Sequence, residues 1–353
     1  MRHIALLALM LILPLVACAP RPGPDVLLPV TAPVLQDPAL QGSKKTRIWM
    51  VTTRARDKTA PWSFGQDRAP APSYGYFDIS IPPGHKSGAI DWPKGRPDPA
   101  KDFVTLDQVA LPARRFLQDV GNDQIGVYVH GYNTSFQEAL YRLAQLSADA
   151  HVDGKPILFS WPSQAHIAGY IADRDGADYS RSALAGLMSD LTRGRSTKKP
   201  VLILGHSMGG RLTMEALRQL KLSGRSDVLD RLEVVLAAPD IDIDMFREQM
   251  AVIGPLKHPL TVLVSSDDKA LAFSARLAAR HGRLGTADVH DPGIRKMAQN
   301  LGIRIIDITD LPSEDPAHSR YVSLLSGAEE NAVTSIFEGL RQAGAYALDQ
   351  IGL

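Results

Sequence analysis

The sequence predicts an α/β fold: a mostly parallel, doubly wound sheet with an antiparallel edge supplied by the N-terminal part. Three observations carry this expectation. From Gln124 onward, short apolar runs alternate with helical patterns, as in successive βα units of a parallel sheet. Within that region Val201-Leu202-Ile203-Leu204 has the unbroken apolarity of a strand buried on both faces, and the chain then enters the helical spacing Leu212, Ala216, Leu220. Before Gln124, Tyr74–Ile81 instead alternates roughly, as an antiparallel edge strand does. The chain has 353 residues, 44% of them hydrophobic and 22% charged, enough for one large core. A net charge of +1 gives no footprint for nucleic acid.

The first residues form a separate unit. Arg2 precedes an apolar stretch from Ile4 to Val16, too short to span a bilayer comfortably and of the length of a signal-peptide core. Leu15-Val16-Ala17-Cys18 follows, resembling the cleavage box of bacterial lipoproteins. In those proteins the cysteine becomes the acylated N-terminus. Cys18 is the only cysteine, so no internal disulfide competes for it. Residues 1–17 are therefore expected to be a lipoprotein signal peptide and Cys18 the lipidation site. Ala19 after the cysteine points to the periplasmic face of the outer membrane. Residues 18–45, rich in proline, are expected to be an extended tether, and 46–353 the folded domain.

Within that domain, 46–120 holds the edge strands and 121–353 the βα core. Arg47–Thr53 and Tyr74–Ile81 read as strands around a polar loop at 54–73, and Phe103–Leu111 as either a third strand or an irregularly packed segment. Trp62 and Trp92 are expected to pack over the core edge. In the core, Ile125–Val129, Pro156–Trp161, Leu232–Ala237, Leu260–Val264 and Arg304–Ile308 read as further strands. Ser135 and Glu138 form a capping-box pattern at the start of a helix, and Asp175–Leu191, Leu271–Arg280 and Ala328–Leu348 read as helices.

Gly205-His206-Ser207-Met208-Gly209 fits G-x-S-x-G between strand and helix, the setting of a nucleophile elbow. Reversal in so few residues forces the serine into a strained backbone region, where a Cβ at Gly205 or Gly209 would meet neighbouring backbone. Ser207 is thus the candidate nucleophile, and the Met208 amide, at a helix N-terminus, favours an anion. A serine nucleophile needs a histidine to take its proton and a carboxylate to hold that histidine. In this architecture the order is serine, acid, histidine, and all three lie past the carboxyl ends of strands. His258 precedes a strand, His281 sits at a helix end, and His290 has only a faint metal-site character. His318, in the loop after the last strand, is the candidate base. Asp268 is the favoured acid because it stands at the entrance of a helix, with Asp240 and Asp267 as alternatives; outside that role Asp240 is expected to brace the site or cap the short turn at Ile241–Phe246, and Asp267 to cap the helix. The second oxyanion donor is assigned to the Tyr132 amide, with Gly131 as the alternative, in the loop His130-Gly131-Tyr132-Asn133. His130 and His206 flank this arrangement as packing or supporting residues. Arg174, between Asp173 and Asp175, is expected in a salt bridge near a helix start.

Taken together, VTTRARDK, FGQDR, DISIPPGHKSG, YVHGYNTSFQEAL, FSWPS, DRD, HSMGG, APDID, SSDDKAL and His318-Ser319-Arg320-Tyr321 resemble one bacterial group over residues 46–345. It comprises α/β-hydrolases of the esterase/lipase superfamily catalogued as domain of unknown function 900. The resemblance implies the α/β-hydrolase fold, with Ser207, Asp268 and His318 as nucleophile, acid and base. Arg320 departs from the group's tighter His-Ser-Tyr, and the resemblance brings no substrate. The expected activity is hydrolysis of a small or lipid-like carboxylic ester through an acyl-enzyme, with no cofactor and no metal. A thioesterase, amidase or acyltransferase would use the same parts. An idle, anchored binding module or a metal-dependent hydrolase built on His290 are the further alternatives.

Overall fold

The computed structural model describes residues 21–31, 36, 38–150, 154–277, 281–313 and 316–326. The elements in chain order are β1 (Lys44–Arg56), β2 (Phe64–Ile81), β3 (Val104–Leu111), α1 (Ala113–Val120), β4 (Ile125–Val129), α2 (Phe136–Asp149), β5 (Lys155–Ser160), α3 (Tyr170–Thr192) and β6 (Val201–His206). Then follow α4 (Met208–Leu222), α5 (Ser226–Leu229), β7 (Leu232–Ala237), α6 (Ile243–Ile253), β8 (Thr261–Val264), α7 (Lys269–Leu277), α8 (Pro292–Leu301), β9 (Arg304–Asp307) and α9 (Tyr321–Ser326). The nine strands form one sheet in the order β3-β2-β1-β5-β4-β6-β7-β8-β9. From β1 to β9 the neighbours are parallel, and β2 runs antiparallel to both β1 and β3.

Alternation along the strands builds a core on each face of the sheet. In β6, Val201 and Ile203 face a layer that includes Phe116 of α1, Leu184 of α3, Leu212 of α4, Phe246 of α6 and Met297 of α8. Leu202 and Leu204 face the other layer, with Phe136 and Leu140 of α2 and Val322 of α9. The expected capping box opens α2: the Ser135 side chain accepts from the Glu138 amide, and the Glu138 carboxylate accepts from the Ser135 amide.

Three boundaries differ from expectation. Residues 54–73 are not a loop, because β1 runs to Arg56 and β2 starts at Phe64. Arg54 pairs with Arg68 and Arg56 with Phe64. The register shifts between Thr52 and Arg54 absorb the stretch containing Pro70 and Pro72, whose missing N–H groups cannot serve a regular ladder. The segment 21–31 is not a free tether. Pro24–Leu27 forms a 3-10 turn and Leu27 is fully buried against α2 and the edge strands, so proline content here marks a docked extended segment. Asp242, rather than Asp240, caps the helix after β7, accepting from the Asp244 and Met245 amides. The helix expected over 328–348 lies outside the described residues, as do Cys18 and the signal segment. Among the described residues, no helix is long and apolar enough to cross a membrane.

Candidate active site

Ser207 joins β6 to α4 with φ 53° and ψ −119°, a conformation that costs a non-glycine residue strain and persists only where its surroundings enforce it. Those surroundings are backbone. The Ser207 amide donates to the Ala237 carbonyl at 2.9 Å, and the Ser207 carbonyl accepts from Gly210 at 3.0 Å and Asp240 at 3.2 Å. A Cβ on Gly209 would stand 2.3 Å from the Val129 carbonyl oxygen, and one on Gly205 2.9 Å from Gly210 Cα, so neither position accommodates a side chain. Met208 opens α4, and its amide has no helical carbonyl one turn earlier to bind.

The loop after β4 passes directly over this turn. A Cβ on Gly131 would lie 3.1 Å from Ser207 Cβ and 2.9 Å from His206 Nδ1, so only glycine allows the approach. His130, buried beneath, stacks on Trp161 with ring centroids 4.9 Å apart. Its Nδ1 donates to the Gly131 carbonyl at 2.9 Å, which leaves Nε2 to accept from Ser160 Oγ at 3.2 Å. Burial and the Arg54 charge pull the His130 pKa down to about 3, so this ring stays neutral. The bond has a geometric consequence. In a trans peptide the C=O and N–H point in opposite directions, so a Gly131 carbonyl turned to His130 turns the Tyr132 N–H away from it. That N–H meets no acceptor among the described residues.

Asp173, fully buried in the first turn of α3, pins the same loop. It accepts from the Asn133 amide at 3.0 Å, Ser163 Oγ at 2.6 Å and the Gln164 amide at 2.5 Å. Asp173 therefore serves backbone and hydroxyl donors, not Arg174, which is exposed and forms no ion pair among the described residues. This corrects the expected salt bridge. Arg54, 1% exposed, gathers the strand ends: it donates to Ser160 Oγ at 2.9 Å and to the carbonyls of Thr134 at 2.8 Å and of Gly65 and Ser163 at 3.0 Å. Burial lowers its pKa to about 9, with Asp173 and Glu138 acting in the opposite sense, so the guanidinium stays charged at neutral pH.

His318 and Asp268 come together from two loops. His318 Nδ1 lies 2.7 Å from Asp268 Oδ2. The other carboxylate oxygen, Oδ1, accepts from the Ala270 and Leu271 amides at 2.9 and 3.0 Å, so Asp268 itself caps α7 and is locked in orientation. Asp267 does not cap the helix. Its two oxygens accept from Arg320 Nη1 and Nη2 at 2.8 and 2.9 Å, and Ser265 Oγ donates to it at 2.8 Å. The Arg320 fork, with help from Ser265, holds the Asp267 carboxyl well below its usual range. Asp240 is taken by Ser274 Oγ at 2.7 Å, Tyr170 OH at 2.8 Å and Arg283 at 3.2 Å. Of the three carboxylates weighed from the sequence, Asp268 is the one that contacts His318.

His206, adjacent to Ser207, links the two halves. Its Nε2 lies 3.0 Å from the His318 carbonyl, to which it can only donate, and the two rings are 4.8 Å apart. Burial and the neighbouring His318 hold its pKa far below the usual value, so it acts as a neutral strut. Ser207 is 3% exposed. Tyr170 bridges the two neighbouring loops: its ring packs 5.4 Å from Tyr132, and its hydroxyl donates to Asp240 at 2.8 Å. Burial and Asp240 push the Tyr170 phenol up to about 12, so it remains a donor.

The remaining candidates lie apart. His258 bonds the Thr197 carbonyl at 3.0 Å, His281 is exposed 3.7 Å from Asp242, and His290 lies 3.4 Å from Arg295. Among the described residues no group of three His, Cys, Asp or Glu side chains could hold a metal ion. Trp92 stacks on Tyr141 at 4.9 Å and Trp62 donates to the Pro24 carbonyl, both at the core edge as expected. Sequence reasoning missed Arg54 and Asp173 and read Arg320 only as a departure. The signal for Asp173 was the DRD triplet, and for Arg320 its position two residues after His318.

Residues 111–336 match the family described as alpha/beta hydrolase of unknown function, DUF900. The chain belongs to this family of α/β-hydrolases. The nine-stranded sheet, mostly parallel with antiparallel strands at one edge and flanked by helices, is the fold of such a hydrolase. No curated protein matches the chain. Among solved structures, a protein of Lactobacillus plantarum WCFS1, named as a candidate cell surface hydrolase, is 14% identical, covers 64% of this chain and 98% of its own, and gives a TM-score of 0.38. That degree of likeness carries no argument about activity.

Proposed function

We propose that this DUF900 hydrolase cleaves a carboxylic ester by acyl transfer to water through Ser207, His318 and Asp268. The observation that carries the proposal is the 2.7 Å contact between His318 Nδ1 and Asp268, made by two separate loops beside a strained serine turn. An acid on Nδ1 fixes the tautomer that leaves Nε2 free to accept a proton, and it stabilises the imidazolium that results. In the reaction, Ser207 Oγ bonds to the ester carbonyl carbon as His318 takes its proton. The oxyanion is held by the Met208 and Tyr132 amides. Collapse breaks the bond to the alkoxy oxygen, which leaves with the proton from His318. Water, deprotonated by the same histidine, then releases the acid and restores Ser207. His130 sets the peptide plane of the Tyr132 amide, and Asp173 holds the residue that follows it. Cys18, with Leu15-Val16-Ala17 before it, would anchor the enzyme by acyl chains in the cell envelope.

The test is hydrolysis of p-nitrophenyl esters of graded acyl length by the wild type, Ser207→Ala and His318→Ala. Turnover by the wild type with losses of about a thousandfold or more in both variants supports the reading. Turnover that survives Ser207→Ala refutes it. A wild type silent on esters but active on thioesters or amides keeps the site and changes the substrate.

A further inference from the structure

The N-terminal segment is bolted to the mouth of the site. Arg21 Nε donates to Glu138 Oε1 at 2.8 Å, Nη1 to Asn133 Oδ1 at 2.7 Å and Nη2 to the Asn133 carbonyl at 2.6 Å, and Nη1 also reaches the Ala165 carbonyl. Gln137 Nε2 then donates to the Pro22 carbonyl at 2.7 Å, and Tyr141 OH to Val26 at 2.7 Å, before Leu27 enters the core. Asn133 follows Tyr132, so the chain reaches the domain at the proposed oxyanion loop. Cys18 lies three residues before Arg21, and three residues of extended chain reach about 10 Å at most. An anchor on a free tether would leave the domain's orientation open. An anchor this close to a docked arginine does not.

The same end of the molecule carries an apolar pair. Ile167 and Ile171 are 63% and 75% exposed, one turn apart where a 3-10 turn runs into α3. Tyr132 OH donates to the Ile167 carbonyl, and Arg21 reaches Ala165 two residues earlier. Single exposed apolar residues are ordinary. Here two of the three most exposed large apolar side chains among the described residues stand beside the loop that Arg21 binds.

We infer that the mouth of the site faces the bilayer, with Ile167 and Ile171 seated in its interface, and that the substrate is the acyl ester of a membrane lipid. The inference rests on the ester-hydrolase reading and on acylation of Cys18. An acylated Cys18 brings the lipid headgroup layer to Arg21. The isoleucines add apolar area at that layer, and a lipid ester carbonyl lies at the same depth, within reach of the loops around Ser207.

The test uses the full-length lipoprotein reconstituted in phosphatidylethanolamine–phosphatidylglycerol vesicles. Acylated Cys18 has no free thiol, so Ile171→Cys offers one thiol for an environment-sensitive dye. Leu222→Cys, 64% exposed at the far end of α4, is the control. The expected result is blue-shifted emission at 171, quenched by nitroxide-bearing lipid, with water-like, unquenched emission at 222. Equal, water-like emission at both positions overturns the inference, as does a free thiol at Cys18. These readouts need no chemistry and are made in Ser207→Ala as well, so loss of the ester-hydrolase reading shows separately as absent turnover. Ile167→Asp combined with Ile171→Asp is expected to leave hydrolysis of a soluble ester within about twofold and to lower that of a bilayer-embedded ester about tenfold or more. Equal effects on both substrates overturn the lipid assignment while leaving esterase activity in place.

Discussion

Asp173→Ala removes a carboxylate that touches no reacting atom yet holds the loop carrying Tyr132. Three donors lose their acceptor: the buried Ser163 Oγ and the half-buried Asn133 and Gln164 amides. Each unsatisfied buried donor costs about 1–3 kcal/mol, and water entering the small cavity recovers part of that. The buried Arg54 guanidinium also loses a nearby negative charge that favours its charged form. Breaking a buried charged network from one side costs about 3–5 kcal/mol, and we expect Asp173→Ala to lie in that range. Asp173→Asn keeps the shape and one acceptor oxygen but sets an NH2 against donors, so about 2 kcal/mol is expected. The assay is urea unfolding at constant m, paired with kcat on a soluble ester. A freed Asn133 lets the Tyr132 amide drift, so kcat should fall about tenfold or more in the folded fraction, with KM little changed. If Asp173→Ala unfolds within about 1 kcal/mol of wild type and keeps its kcat, the clamp and its role in the oxyanion loop are refuted.

Gly209→Ala puts a Cβ 2.3 Å from the Val129 carbonyl and should abolish activity or folding, whereas Gly210→Ala, whose Cβ meets Pro239 Cβ at 3.3 Å, should keep most of both; similar ester turnover in the two variants would falsify the packing argument at the elbow. Arg320→Ala cuts the fork to Asp267 that ties the His318 loop to the Asp268 turn, and should lower kcat about tenfold with partial recovery in Arg320→Lys, checked by kcat and KM on one ester. His85 lies 2.8 Å from Asp149 and 3.1 Å from Asp91. Burial alone would lower its pKa, but hydrogen bonds and charge from the two carboxylates raise it above 6.5. Its stabilisation is then complete below the unfolded pKa and lost as pH rises through the higher folded value, so the urea midpoint of wild type should fall above pH 6.5 relative to His85→Gln. Parallel pH profiles for the two proteins would contradict that coupling.

The sheet and the serine turn were legible because their physics is local. An apolar run needs no partner to be recognised, and small residues at 205 and 209 advertise the turn that the Gly209 contacts require. The capping box at Ser135 and Glu138 is legible for the same reason. What stayed hidden depends on distant partners. Arg54 reads as the polar end of a strand until Thr134, Ser160, Ser163 and Gly65 supply it with acceptors inside the core. The prolines at 22 and 24 read as a tether, and only the side chains of Gln137, Trp62 and Tyr141 show that the extended backbone beside them is docked. Arg320 looked like an intrusion between His318 and Tyr321, and its worth appears only where Asp267 meets it across the sheet end.

Labelling of the full chain by a fluorophosphonate, with the modified residue located by mass spectrometry, tests whether Ser207 is an activated nucleophile. A nucleophile activated by His318 gives one adduct, on the peptide containing Ser207, lost in Ser207→Ala and slowed strongly in His318→Ala. An adduct on another residue, or none on a folded protein, would contradict that role for Ser207.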